Sequence, residues 1–399
     1  MMLAFLAELG QSVVRLFLNP IFYLAIVFAF VLAFRRVRKE RLHFHTRVYD
    51  VISDLYHTFV PGLLVGVLLY GLFIGLGFTL NEGVLVLLMT ITFLLSLTFL
   101  PRLLSPAYLF FITAIIIVFM PDWEMNHARL DGWLSDLEVS ILPSLFLLMT
   151  ILLFVEAVLI FFQAHRQASP RRVVGTRGKP IGGFETRRVW LIPTCVLIPG
   201  AGFERIDWWP LLGLGDSFAL MLVPFLIGYE QFQTSDLPKR AVKRDGLRVA
   251  LVSIIALPIA ILSIYYEWIA LAFVGMAFLS LSRLLLFVFV RKENDEKRAW
   301  FTLWNEGLQV LAVVPKSPAA EMNIHVGEVI NRVNGMKVNS ARQYYDALQI
   351  NPTFVKLEVI DADGELRFEQ RPLYENEHHS LGILFVDEPR VHYRKVEEA

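Results

Sequence analysis

Arg291-Lys292-Glu293-Asn294-Asp295-Glu296-Lys297-Arg298 divides this chain in two. Long apolar runs precede the octet. After it come short alternating segments separated by turn residues. Of the 399 residues 56% are hydrophobic and only 19% charged, and the mean hydropathy is +0.55. That is too apolar for a soluble globular protein and too long for one membrane-anchored helix. Formal net charge is zero, but residues 300–399 hold 10 Lys/Arg against 15 Asp/Glu, and residues 1–299 hold 27 against 22. The reading is a membrane domain over 1–290, a charged linker over 291–299, a mildly acidic soluble domain over 300–388 and a tail over 389–399. No basic domain points to nucleic acid as a partner. The single cysteine, Cys195, excludes a disulfide framework and a Cys-based zinc cluster.

A membrane helix needs roughly 17–25 mostly apolar residues. Candidates lie near 16–34, 59–79, 83–100, 103–120, 139–162, 189–203, 209–228, 249–266 and 268–290. The sixth carries Pro193 and Pro199 and reads as a broken or re-entrant segment, so eight or nine spans are expected. The first run ends in Arg35-Arg36-Val37-Arg38-Lys39 rather than in a small-residue site, which argues against a cleaved signal peptide. An in-plane helix around Ala4–Leu18 is the alternative for the N-terminus.

With alternating sides, the stretches 35–47, 101–102, 163–188, 230–248 and 291–298 share one side and carry 23 Lys/Arg. The opposite side holds Arg15, Arg129 and Arg205. The positive-inside rule assigns the rich side, and with it the C-terminal domain, to the cytoplasm.

Ionisable groups inside apolar runs are costly. Glu156 and Arg283 each lie about 10 Å from the basic edge at 1.5 Å rise per residue, a matching depth that suggests an ion pair between two helices. Asp216, in Gly213-Leu214-Gly215-Asp216, lies at the outer half of its run. The functional reading of these three is a proton or ion path; the other is a structural pair. Gly62-x3-Gly66 and Gly71-x3-Gly75 allow close helix approach, within the chain or between two copies.

In the C-terminal part Leu308–Val314 alternates as a strand, and Ser317-Pro318 caps and starts a short helix. Glu328–Val333 is a strand running into the Asn334-Gly335 turn, and Ser340–Gln349 is a helix. Val355–Ile360 and Glu365–Phe368 are strands, and Leu381–Phe385 is a last short one. This order, with Val313-Val314-Pro315-Lys316-Ser317-Pro318-Ala319-Ala320, Val326-Gly327-Glu328-Val329-Ile330 and Val333-Asn334-Gly335-Met336-Lys337-Val338, resembles the PDZ family over about 90 residues. The fold class implied is a polytopic α-helical membrane domain followed by a small α+β PDZ domain of the permuted bacterial type.

In that family a peptide adds as a strand between a sheet edge and a helix. The resemblance makes Ser380-Leu381-Gly382-Ile383 the carboxylate loop, with Glu306-Gly307-Leu308-Gln309 as the alternative. It lines the groove with Ile383, Leu384 and Phe385 on one side and Tyr345 and Leu348 on the other. The other reading is that these apolar residues, Leu384 and Tyr344 above all, are core.

Membrane PDZ proteins are often proteases, but His-Glu-x-x-His is absent and so is Gly-x-Ser-x-Gly. Ser217 has no identifiable membrane histidine, and no phosphate loop or dinucleotide fingerprint occurs. The expectation is a protein that is not an enzyme and that holds no cofactor or metal. The basic loops are suited to anionic lipid or an acidic protein partner, though setting topology alone explains them.

The whole layout is similar to the MinJ-type cell-division topology proteins of Gram-positive rods. Length, the polytopic first three quarters and the single C-terminal PDZ domain all match, as do Arg177-Gly178-Lys179-Pro180-Ile181-Gly182-Gly183-Phe184-Glu185 and Leu381-Gly382-Ile383-Leu384-Phe385-Val386. The resemblance implies an adaptor at the division septum and poles, joining a DivIVA-like polar scaffold to a MinD-like ATPase. The rivals are a PDZ-bearing membrane protease or its regulator, and a transporter with a regulatory PDZ domain.

Overall fold

The computed structural model describes residues 2–120, 127–175, 178–204, 209–210, 212, 217–303, 306–351, 353–361, 363–374 and 381–386. Helices α1 (Met2–Leu18) and α2 (Pro20–Phe44) are separated by Asn19, whose side chain accepts from Ile21 N–H at 3.0 Å. Pro20 fits the first helical position because its missing N–H has no partner to lose there. Helix α3 (Val51–Leu76) stops at Gly77, which holds φ +63°. The shorter α4 (Glu82–Ser96) and α5 (Pro106–Phe119) are joined through a 3-10 turn at Pro101–Leu104. Helices α6 (Ala128–Ser135) and α7 (Leu142–Leu159) follow, α7 ending in a π-turn over Ile160–Ala164.

The run at 189–203 and the part of the run at 209–228 from residue 217 onward are not helices. They belong to a three-stranded antiparallel sheet of order β1-β2-β3, with β1 Ser169–Val174, β2 Pro180–Glu204 and β3 Ser217–Gln233. Val189 through Ile192 and Cys195 through Ile198 are all buried. A strand buried on both faces has no polar side to show, so its sequence is a continuous apolar run like that of a membrane helix. Pro193 lies opposite Pro224 in the register, where neither removes a ladder donor from a helix.

The edges of the hairpin are covered. Leu197 donates to Phe78 O at 2.8 Å and accepts from Leu80 N–H at 2.9 Å. On β2, a Cβ at Gly62 would lie 2.0 Å from Leu191 O, and one at Gly66 2.5 Å from Pro193 O. The first glycine pair therefore seats α3 on the strand, while Gly71 and Gly75 have open space. Irregular or strand backbone is tolerated at membrane depth only when protein covers it in this way.

Helices α8 (Pro238–Tyr265) and α9 (Ile269–Glu296) complete this part. Among the described residues five helices are long and apolar enough to cross a membrane, with α4 and α5 shorter. The expected eight or nine helical spans are thus reduced, and two of them become one hairpin. A hairpin returns to the side it left, as two helices would, so the distribution of Lys/Arg is unchanged. The octet 291–298 is mostly the end of α9 rather than an extended linker. Glu293 meets Lys297 at 2.7 Å and Arg248 at 2.8 Å, and Lys292 meets Glu296 at 3.7 Å, spacings that a helix favours.

The C-terminal unit has β4 (Leu308–Val313), α10 (Pro318–Glu321), β5 (Val329–Val333), β6 (Met336–Lys337), α11 (Ala341–Gln349), β7 (Phe354–Ile360), β8 (Leu366–Pro372) and β9 (Ile383–Phe385). Its sheet runs β8-β7-β5-β4-β9, with β6 paired to β5. Asn334 and Gly335, both at positive φ, form the β5–β6 turn.

Candidate functional site

The edge of the C-terminal sheet is built by β9, which pairs with β4 through Val310↔Phe385, Ala312↔Leu384 and Val313↔Ile383. Gly382 precedes it at φ +80°, and a Cβ there would lie 2.3 Å from Ser317 Cβ. Both conditions demand glycine. Val314 N–H donates to Gly382 O at 2.8 Å and Ala319 N–H to Leu381 O at 2.9 Å, so the loop is strapped to the 314–319 turn. Across from β9 lies α11. Ser340 caps it, accepting from Gln343 N–H at 3.3 Å, and Asn334 Nδ2 donates to Ala347 O at 3.0 Å near its other end. Tyr344 and Phe385 rings meet at 4.8 Å. The alternative loop is spent on anchoring: Gly307 N–H donates to Asn339 Oδ1 at 3.0 Å.

The expected groove residues separate in the structure. Leu381, Ile383, Phe385, Tyr344 and Leu348 are buried in the core of this unit, with Tyr345 partly buried against them. Leu384 is not in the groove. Strand neighbours point to opposite faces, and Leu384 joins Leu311, Ala312, Val386 and Phe301 against Phe44, Val48, Ala168 and Phe184. This cluster docks the C-terminal unit on the arginine-rich end of the membrane part. Gly182 N–H donates to Phe301 O at 2.9 Å, and a Cβ on Gly182 would lie 2.5 Å from Leu311 Cδ1. Sequence reasoning missed this interface. The signal was Gly182-Gly183 within a strand, a mark of close backbone approach. Ser380 and Asp216 lie outside the described residues.

Glu156 and Arg283 are brought together. Glu156 Oε1 accepts from Arg283 Nε at 3.0 Å and Nη2 at 2.9 Å, and Oε2 accepts from Ser105 Oγ. Glu156 is fully buried and Arg283 is 6% exposed. The guanidinium also lies 6.0 Å from the Tyr229 ring. The pair therefore ties α7, α9, the start of α5 and strand β3 into one body.

A second polar network sits at the arginine-rich end. Asp54 accepts from Arg36 at 2.8 Å and Arg188 at 3.1 Å. Arg36 also donates to Glu40 at 2.7 Å, and Glu40 accepts from Ser169 Oγ at 2.7 Å and Val48 N–H at 2.8 Å. Glu185 is met by Arg171 Nε at 2.7 Å, Lys39 at 3.1 Å and Arg187 at 3.1 Å. Burial alone would raise the Glu185 carboxyl, but Arg171, Arg187 and Lys39 outweigh it and hold it down at about 2.

The chain has relatives among known proteins. It is 33% identical over 386 residues to the cell division topological determinant MinJ of Bacillus subtilis (strain 168), covering 96% of each chain. It is 26% identical over 398 residues to a probable cell division topological determinant MinJ of Lacticaseibacillus paracasei, covering 94% of this chain and 99% of the relative. A crystal structure of the PDZ domain of an SdrC-like protein from Listeria innocua aligns with 22% of this chain and all of its own, at 21% identity and a TM-score of 0.18. No family model matches the sequence.

Proposed function

The chain belongs to the MinJ family of cell division topological determinants, and on that premise we propose that it is a multi-pass membrane adaptor for division-site selection. The end-to-end match to a topological determinant carries this reading. The helices and the buried hairpin hold the chain in the bilayer, with the arginine-rich end and the PDZ unit in the cytoplasm. The Gly382 loop and edge strand come last in the chain, which supports a PDZ unit of the permuted type. A partner's C-terminal segment adds beside β9, facing α11. The partners are a DivIVA-like polar scaffold and a MinD-like ATPase, and the protein itself performs no catalysis. The closed, buried Glu156–Arg283 pair supports a structural rather than a transport role for the two ionisable groups.

The test is localisation of a fluorescent fusion at native expression, compared with Gly382→Val. The expected result is septal and young-pole enrichment of both, with a partner's septal localisation lost in the variant. A uniform membrane signal with normal cell length in a deletion strain refutes the division role.

A further inference from the structure

At the arginine-rich end, α2, α3, β1 and β2 line a small pocket that is open to solvent, with a cavity volume of about 30 Å³. Arg35, Arg36, Lys39, Arg171, Arg187 and Arg188 line it, against the two carboxylates Asp54 and Glu185. Glu40, behind Arg36, is a third, and Glu230 meets Arg187 Nη2 at 2.6 Å, so two positive charges remain in excess. The networks leave donors over: Arg171 Nη1 and Arg188 Nε are buried and make no hydrogen bond, although both side chains are about nineteen-twentieths buried. A buried donor without an acceptor is destabilising, and both of these residues line the same pocket. The inner wall is apolar, made by Ala29, Leu32, Ala33 and Val189. Ala29, Leu32 and Ala33 close the apolar run of α2, and the arginines begin directly after it. The pocket therefore straddles the depth at which lipid phosphates lie.

Guanidinium groups match phosphate in charge and in hydrogen-bond geometry, and basic pockets between spans on the cytoplasmic side suit anionic head groups. We propose that this pocket binds a phosphate oxyanion, supplied by the head group of an anionic membrane lipid. Arg171 and Arg188 supply the buried donors, and Lys39 and Arg187 close the rim. Surface attraction to lipid would need no such cavity. The ligand would also brace α2 and α3 against the sheet, on the elements that carry the docked PDZ unit.

The test uses the full chain in nanodiscs of phosphatidylcholine, with or without phosphatidylglycerol, and in phosphatidylcholine discs with inorganic phosphate at matched ionic strength. The readouts are the thermal midpoint and the lipids retained in native mass spectrometry. With lipid about a hundredfold above its dissociation constant, the midpoint should rise by roughly 5 °C, with one phosphatidylglycerol retained. Lys39→Gln/Arg187→Gln should lose most of both, and Lys239→Gln/Arg240→Gln, outside the pocket, should keep them. If the double variant melts too early to titrate, Lys39→Gln alone gives the comparison, since Arg171 and Arg187 still hold Glu185. A rise with inorganic phosphate and none with lipid keeps the oxyanion site but overturns the lipid as its source. No rise with either, or equal rises in wild type and pocket variant, overturns the site.

Discussion

Replacing Glu156 by glutamine keeps the shape of the side chain and removes its charge, leaving the buried Arg283 guanidinium only the more distant Asp245 as a counter-charge. Two charge-assisted hydrogen bonds, at 2.9 and 3.0 Å, are weakened or lost. Each contributes about 1.5–3 kcal/mol, and breaking a buried ion pair from one side costs roughly 3–5 kcal/mol. The glutamine oxygen can still accept one neutral bond, so the lower end, about 3 kcal/mol, is expected. For a domain of this size that lowers the midpoint by about 5 °C. The single cysteine supplies the assay, because Cys195 is 0% exposed in the packed hairpin. A thiol-reactive fluorophore in detergent reports its exposure on heating. The double variant Glu156→Gln/Arg283→Met removes both partners of the pair but also takes the Arg283 charge away from buried Asp245, so it should recover only part of the loss. The cycle then isolates the coupling. A Glu156→Gln midpoint within 2 °C of wild type, or a double variant as unstable as the single, would refute the reasoning.

Three further outcomes are expected. Gly62→Val should disrupt α3–β2 packing and abolish stable expression, whereas Gly71→Val, which meets open space, should leave the midpoint within about 1 kcal/mol of wild type; detergent-solubilised yield and the thiol assay distinguish them. Gly182→Val should separate the C-terminal unit from the membrane part, read as new protease cleavage between residues 297 and 303 with the core of that unit intact. The depressed Glu185 carboxyl contributes stability that is fully present above its unfolded pKa near 4.5 and is lost as pH falls toward 2. That contribution is about 3 kcal/mol, so circular-dichroism melts from pH 6 to 2.5 should fall more steeply in wild type than in Glu185→Gln.

Much of this architecture was legible in the residues. The octet 291–298 marks the change from apolar runs to alternating segments, although helix geometry carries α9 through most of it. The Ser317-Pro318 start, the Asn334-Gly335 turn and the Ser340 cap are local chemistry, and each stands where its residues require. Glu156 and Arg283 could be matched in depth from the rise per residue alone. The hairpin could not be recognised, because apolar burial on both faces erases the period that separates strand from helix. The groove list failed at Leu384 for a related reason. Strand alternation shows that Leu384 opposes Ile383 and Phe385, but it does not say which face meets a ligand and which meets another part of the same chain.

Composition, charge placement and turn chemistry are properties of short stretches, so the sequence by itself determined the membrane class, the side bearing the arginines and the strand order of the C-terminal unit. Tertiary structure decided what depends on partners distant in the chain. It made Gly62 and Gly182 contact points for Leu191 and Leu311, turned two apolar runs into one covered hairpin, and gathered arginines from three separate segments around Asp54 and Glu185. Burial and charge pairing act through space, and only the folded chain brings those residues within reach of one another.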